Sequence, residues 1–376
     1  MAGYDPQNTG HNPHATPPRQ SPSEDWRVQT SETVTSVIAG PDAVYASAED
    51  EIVAVSRNGS ERWRESLGGG LYYVAGRLYV STDDAVVALD ADSGDERWRS
   101  DVDDFEPSEV YEVAGTVYVT GRESVCGLHA DTGERRWRLS TARYPALVAS
   151  DDRLAVVTNE RIRRLAPGEM TTGLVRDSAP TVKETIRTGW RPWTMAPTLA
   201  DGVLFVPQYG DRLSDSLGAV RKYGLTQTDE YWMSTFTWRG VAAVSVTADT
   251  VFAAPYRATT DPPDGSLVAL DRETGEERWR YDGAMLGRPA VGDGVVVTGA
   301  ADPGSPSVCA AANDSQERTC TDGEPPAESG VLHGFDADSG ERLWTTTPGH
   351  SFGGYPLALA GDHVYYGDAD GLHALS

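Results

Sequence analysis

The stretch Ala88-Leu-Asp90-Ala-Asp92-Ser93-Gly94-Asp-Glu-Arg-Trp98 returns almost letter for letter as Ala269-Leu-Asp271-Arg-Glu-Thr274-Gly275-Glu-Glu-Arg-Trp279. Looser copies run from Gly127 to Trp137 and from Gly334 to Trp344. Self-similarity of this kind is the mark of a repeat architecture and decides the fold before any single residue is weighed. Each copy reads as an apolar strand, a tight turn and a second strand that carries tryptophan. Gly94, Gly133, Gly275 and Gly340 fall where such a turn needs positive φ. The Asp and Ser/Thr before them can bond the turn amides. The tryptophan four residues on is expected to cover the seam to a neighbouring unit, where its indole N–H requires an acceptor. Asp90-Ala-Asp92 and Asp336-Ala-Asp338 superficially resemble a calcium loop, but the glycine stands at position five instead of six, so they are read as turns.

Two counts give eight units. Tryptophans near unit ends are Trp26, Trp63, Trp98, Trp137, Trp190, Trp232, Trp279 and Trp344. A strand-turn-strand element recurs eight times as well, for example Leu71–Val80 around Ala75-Gly76 and Pro197–Pro207 around Asp201-Gly202. Alternating Val, Tyr and Leu beside Gly and Asp turns predicts hairpins. Four strands in each unit predict an all-β, eight-bladed β-propeller of antiparallel blades. Blade four has the poorest repeat, around Arg161-Ile-Arg-Arg-Leu165. The chain stops after a third strand at Gly371–Ser376, and the missing fourth strand is available in Ser23–Val28. The last blade is therefore expected to be composite, which leaves the ring without open edges. The expected organisation is a tail or strap over 1–22 and one propeller domain over 23–376.

Composition narrows the partners. The 376 residues carry 57 acidic and 32 basic groups, a formal charge of −25, and 39% are hydrophobic. Lys183 and Lys222 are the two lysines; all other basic residues are arginine. An acidic, lysine-poor chain suits a salt-loving host, where carboxylates hold water and cations while salt screens their repulsion. Nucleic acid and anionic lipid are disfavoured as partners, since they need clustered Lys and Arg. No apolar run is long enough to span a bilayer as a helix, and no charged-then-apolar signal follows Met1. Cys126, in Ser124-Val-Cys-Gly-Leu, reads as a small buried hydrophobe. Cys309 and Cys320 flank a polar loop; a disulfide between them would suit an oxidising compartment, and two thiols are the alternative.

The repeat resembles that of the pyrroloquinoline-quinone-like (PQQ-like) propellers, with the pattern Ala-x-Asp-x-x-Thr-Gly-x-x-x-Trp complete at 269–279 and altered at 88–98 only by Ser93. Tyr4-Asp-Pro-Gln-Asn-Thr-Gly-His-Asn-Pro13 also looks like the lead-in of that family. The resemblance is to the BamB-like, haloarchaeal type. It implies an extracytoplasmic or cell-surface location, with a lipid anchor only if residues precede Met1. Quinone-dependent alcohol dehydrogenases of the superfamily carry an adjacent Cys-Cys pair and hold calcium through Glu, Asn and Asp. This chain has no Cys-Cys, so no cofactor is expected, and PQQ with calcium is the minor alternative.

No nucleophile elbow, phosphate loop, zinc-protease motif or dinucleotide fingerprint occurs, and no catalytic or metal residue is assigned. One asymmetry stands out. The second-to-third-strand connection lengthens in blades five (Gln208–Ser216), six (Tyr256–Asp264) and seven (Ala300–Gly330). Three neighbouring long loops on one face make a contiguous patch. Its candidate binding residues are Tyr209, Asp211, Arg212, Tyr256 and Arg257. Connections between blades bring Trp193, Trp238, Arg239, Arg288 and His350 toward the channel mouth, and aromatic and Arg groups are usual anchors of binding surfaces. The expectation is a monomeric binding or scaffold module for a protein or extracellular polymer. The alternative is a quinone- and calcium-dependent sugar or alcohol dehydrogenase with its cofactor in the channel.

Overall fold

The computed structural model describes residues 9–101, 107–142, 145–150, 153–158, 161–165, 182–187, 196–208, 218–224, 230–236, 240–257, 264–283, 285–301, 330–347 and 356–376. An N-terminal strand β1 (Glu24–Val28) precedes blade one, made of β2 (Ser36–Ala39), β3 (Ala43–Ser47), β4 (Ile52–Ser56) and β5 (Glu61–Glu65). Blade two holds β6 (Gly70–Val74), β7 (Arg77–Ser81), β8 (Ala85–Asp90) and β9 (Glu96–Asp101). Blade three holds β10 (Val110–Val113), β11 (Thr116–Thr120), β12 (Ser124–His129) and β13 (Arg135–Ser140). Blade four holds β14 (Ala146–Ser150), β15 (Arg153–Val157), β16 (Arg161–Leu165) and β17 (Val182–Arg187). Blade five holds β18 (Thr198–Ala200), β19 (Val203–Gln208), β20 (Gly218–Gly224) and β21 (Glu230–Phe236). Blade six holds β22 (Gly240–Val246), β23 (Thr250–Arg257), β24 (Asp264–Asp271) and β25 (Glu277–Asp282). Blade seven holds β26 (Met285–Gly292), β27 (Val295–Ala301), β28 (Gly330–Asp336) and β29 (Arg342–Thr346), and the C-terminal strands are β30 (Leu357–Ala360), β31 (His363–Gly367) and β32 (Leu372–Leu375).

Each blade is a four-stranded antiparallel sheet in sequence order, except the eighth, which runs β1-β32-β31-β30. First strands touch in succession around the ring, β2 to β6 and onward to β26, β30 and back to β2. The first strands therefore surround the axis and the fourth strands lie outermost. Burial follows: Ile52–Val55 is wholly enclosed, whereas in β5 only Trp63 is buried between exposed Glu61, Arg62, Arg64 and Glu65. Among the described residues no helix is long and apolar enough to cross a membrane.

The repeated tryptophan occupies one register, paired with Ala54, Ala88, Gly127, Lys222, Ala269, Gly334 and Ala374 in seven blades. Its indole N–H donates across the seam to a carbonyl in the next blade's turn. Trp63 reaches Ala91 O at 3.0 Å, Trp98 reaches Ala130 O at 2.8 Å and Trp279 reaches Ala337 O at 2.9 Å. The turn glycines have φ of 83, 70, 75 and 72° at Gly94, Gly133, Gly275 and Gly340. They serve a second purpose, because a Cβ on Gly133 would stand 2.5 Å from the Trp98 ring. Inside the blade the third residue of the second strand supplies a second ring: Tyr45, Tyr79, Tyr118, Phe205, Phe252 and Tyr365 each stand 5.8–6.0 Å from their tryptophan. Asp90 and Asp271 accept the two following turn amides, as their sequence position implied, and His129 Nδ1 accepts the Asp131 amide in their place. Cys126 is fully buried in the core.

Blade four breaks the pattern. The register position of tryptophan is Glu184, opposite Arg164, and the second-strand ring position is Ala155. Trp190, counted as this blade's tryptophan, is thus outside the seam register and outside the described residues. Aliphatic packing of Val148, Val157, Ile162, Leu199, Leu204 and Val206 joins blades four and five instead.

The composite blade closes as its sequence suggested. Trp26 pairs with Ala374, and the ladder continues through Ser23 and Ser376, whose amides and carbonyls exchange bonds of 3.0 and 3.1 Å. This blade has no third-to-fourth turn, so the acceptor that Trp344 needs must come from elsewhere. Pro18 O supplies it at 2.7 Å. Residues 9–19 form a strap over the turn-side ends of blades six to eight. Thr9 O accepts from Val246, Asn12 N donates to Val291 O, Asn12 Nδ2 donates to Leu359 O and Ala15 is buried in the core.

Two histidines fasten β1. His363 contacts Asp25 at 3.0 Å, and buried His373 bridges Glu24 (2.8 Å) and the fully buried Asp368 (2.9 Å) while stacking on Tyr366. Burial pushes the His373 imidazole down, but Asp368 and Glu24 outweigh it and hold its pKa above the ordinary value.

Gly133→Ala should destabilise the ring by about 2–4 kcal/mol, combining left-handed strain with overpacking on Trp98, read as a lowered denaturation midpoint. Because the folded pKa of His373 is raised, its stabilisation is complete below about pH 6.5, the unfolded value, and is lost as pH rises through the folded pKa. His373→Gln should therefore cost stability at pH 5.5 and progressively less at higher pH, measured by denaturant unfolding across that range.

Candidate functional site at the channel wall and loop face

In an antiparallel blade the second-to-third connection and the link to the next blade leave from the same end. On that end blades five to seven reach further. Their second strands run six, eight and seven residues, against five in blades one to four. Tyr256 and Arg257 end β23 within the extended hairpin, paired with Gly265 and Asp264, and Tyr256 is half-buried. Tyr209, Asp211, Arg212, Cys309 and Cys320 belong to segments joining these hairpins and lie outside the described residues, as do Trp193, Trp238, Arg239 and His350.

Arg288 comes to the channel by way of two irregular inner strands. In β26 the register jumps between Leu286 and Ala290, and in β22 between Val241 and Val244. Bulges of this kind re-aim side chains, and Gly287, at φ 92°, meets the backbone demand of the first. The guanidinium then spans from blade seven across blade six to blade five, donating to Val244 O at 2.9 Å and Thr198 Oγ1 at 3.3 Å. The strap passes beside it, since a Cβ on Gly10 would stand 2.9 Å from Arg288 Nε.

Within electrostatic reach of Arg288 is a residue that sequence reasoning missed. Glu109 precedes β10, where its amide donates to Thr120 Oγ1 at 3.1 Å. Its carboxylate accepts the backbone N–H of Leu147, the inner strand of blade four. Part of the residue reaches solvent, but Oε2 is enclosed and has no hydrogen-bond partner among the described residues. Burial raises its pKa to about 7, against the opposing pull of the Leu147 amide and the Arg288 charge. A carboxyl poised near neutrality inside a ring is a physical marker of a functional site. The sequence reading placed Arg288 in a connection between blades; it lies instead within inner strand β26, at a bulge that Gly287 and Pro289 mark. Glu109 offered only a charge at the start of an inner strand.

Ring, seams and strap define an eight-bladed β-propeller. The family model described as outer membrane protein assembly factor BamB matches residues 48–253 and 187–319. The chain belongs to that family. Among solved structures it is similar to BamB from Moraxella catarrhalis, at 18% identity and TM-score 0.67, over 94% of this chain and 97% of that one. The computationally designed Ika8 protein matches at 13% identity and TM-score 0.71, over 94% and 98%. Quinohemoprotein alcohol dehydrogenase from Comamonas testosteroni matches at 12% identity and TM-score 0.69, over 100% of this chain and 79% of that one. At these identities the likeness is of fold alone. No curated protein matches.

The dehydrogenase likeness raises the question of quinone and calcium. Calcium takes six to eight oxygen ligands, several of them carboxylates. The described residues hold no group of three or more Asp, Glu, His or Cys side chains able to bind a metal ion.

Glu109 yields its own stability prediction. With a folded pKa above the ordinary value, the folded state holds the extra proton between about pH 4.5 and 7, and stability falls as pH rises through that window. Glu109→Gln should match wild type near pH 4.5 and exceed it by on the order of 2–3 kcal/mol at pH 8, measured by urea unfolding.

Proposed function

We infer that this protein is a non-enzymatic binding module that recognises a protein or extracellular polymer through the loop face of blades five to seven. The observation carrying this reading is the extension of β19, β23 and β27, with their partners, in three consecutive blades on one end of the ring. A propeller that lengthens neighbouring hairpins presents a continuous surface on a stiff base. Tyr209, Tyr256 and Arg257 are the proposed anchors, with Asp211, Arg212, Trp193, Trp238, Arg239 and His350 around them. Membership of the BamB family supports protein association as the activity and an extracytoplasmic or cell-surface location as its place. The acidic, lysine-poor composition supports a host of high salinity, where the net charge of −25 is screened. A quinone-dependent dehydrogenase reading draws on fold likeness alone.

Joint replacement of Tyr209, Tyr256 and Arg257 by Ala should reduce partner capture, by cross-linking and pull-down in high salt, by at least tenfold while the unfolding midpoint stays unchanged. Undiminished capture by the folded variant would remove the loop face as the site.

A further inference from the structure

The outermost strand of each blade is a sheet edge, and an edge invites pairing with another chain unless charge blunts it. In blades one, two, three and six the tryptophan of that strand stands between two arginines, as in Arg97-Trp98-Arg99 and Arg278-Trp279-Arg280. Arg99 and Arg280 are braced by Glu96 and Glu277 at 3.0 and 2.5 Å. Blade five reads Tyr231-Trp232-Met233 instead. Tyr231 is 48% and Met233 42% exposed, and these two are the exposed large apolar side chains among the described residues. At seven residues β21 is also the longest outermost strand, and from Tyr231 to Phe236 it carries no charge. Its outer edge pairs with no strand among the described residues. The bulge before Trp232 recurs before Trp98 and Trp279, so the missing charge is what sets β21 apart.

We propose that β21 is a self-association edge, through which two copies of this chain pair antiparallel about a twofold axis at Trp232. Such a contact sets each residue against the one equally far beyond the axis on the other copy. In β21 it sets Tyr231 against Met233 twice, an aromatic ring against a thioether, and sets Glu230 against Ser234. The same operation on the outermost strands of blades one, two, three and six would set Arg against Arg, which is unfavourable at directly opposite positions. Self-pairing is thus available to blade five and opposed in those four. A charged partner would meet no counter-charge between Tyr231 and Phe236, so the occupant that this strand specifies is a second β21. Each copy carries −25, a repulsion that opposes the contact at low ionic strength and that salt screens. The dimer replaces the expectation of a monomer and is independent of the loop-face reading.

One strand pair is a small contact, so dimerisation is expected on the order of 10–100 µM. The experiment is sedimentation velocity of the full chain across that range, in about 0.1 M and about 2 M KCl. The expected result is a monomer–dimer equilibrium at least tenfold tighter in the higher salt. Amide hydrogen exchange on either side of the midpoint should slow in peptides from β21 and stay unchanged in those from β9 and β25. Joint replacement Tyr231→Arg and Met233→Arg writes into blade five the sequence with which four other blades fold, and should weaken dimerisation at least tenfold. If that variant does not fold, exchange of the wild-type β21 amides decides alone. A monomer at every concentration up to about 300 µM in both salts, a dimer that salt weakens, a dimer whose β21 amides exchange as in the monomer, or a folded double variant that associates as wild type does would each overturn the proposal. The loop-face triple variant should dimerise as wild type does, which separates this test from that of the partner surface.

Discussion

The ring rests on one interaction repeated around it: an indole buried on the next blade's turn, with its N–H on a carbonyl there. Each blade is a small twisted sheet that cannot bury both faces alone, so stability comes from nearest-neighbour contact. The tryptophan joins two requirements at that contact. Its area fills the seam, and its single donor fixes the angle at which the turn docks. The turn must then present a bare backbone, which is why glycine stands under the ring at Gly94, Gly133, Gly275 and Gly340. The paired Asp90–Arg97 and Asp271–Arg278 contacts, at 2.6 and 2.8 Å, brace the same turns from the solvent side. Asp271, held by Arg278 and the Thr274 amide, has its carboxyl well below the usual carboxylate range. These exposed pairs order the turns and contribute little energy.

A ring has no ends, but a chain does, and the structure meets that conflict at blade eight. The break lies between the third and fourth strands, where other blades have their Asp-Gly turn. One consequence is the loss of the carbonyl that should receive Trp344, which Pro18 restores. Another is that β1 is held by strand pairing alone unless side chains add to it. His363 and His373, each between carboxylates, provide that addition on neighbouring residues of β1. The strap and the histidine contacts are thus one solution to one topological defect.

The inner wall obeys different rules from the seams. The inner strands leave edge N–H and C=O groups facing the channel, and those groups need partners. Glu109 and Arg288 meet part of that demand, one as acceptor and one as donor, on opposite sides of blade five. The local bulges of β22 and β26 show where regular blade geometry was given up to place Arg288.

What the sequence by itself determined is whatever repeats. Blade number, strand order, turn glycines, seam tryptophans and the composite closure were legible because each occurs several times at fixed spacing. The aromatic at the third position of the second strand recurs in six blades, with Ala155 in blade four and Val297 in blade seven, and could have been read from Tyr45, Tyr79 and Tyr118. Blade four was hardest to read because Glu184 and Ala155 had replaced both rings, and Trp190 stood in for a residue that the register assigns elsewhere. The long hairpins of blades five to seven were visible as departures from the period. Only the tertiary structure decided the contact of Glu109 with the Leu147 amide, of Glu24 with His373 and of Pro18 with Trp344. Each joins residues far apart in the chain, each occurs once, and none lies on a repeat, so closing the ring was what brought them together.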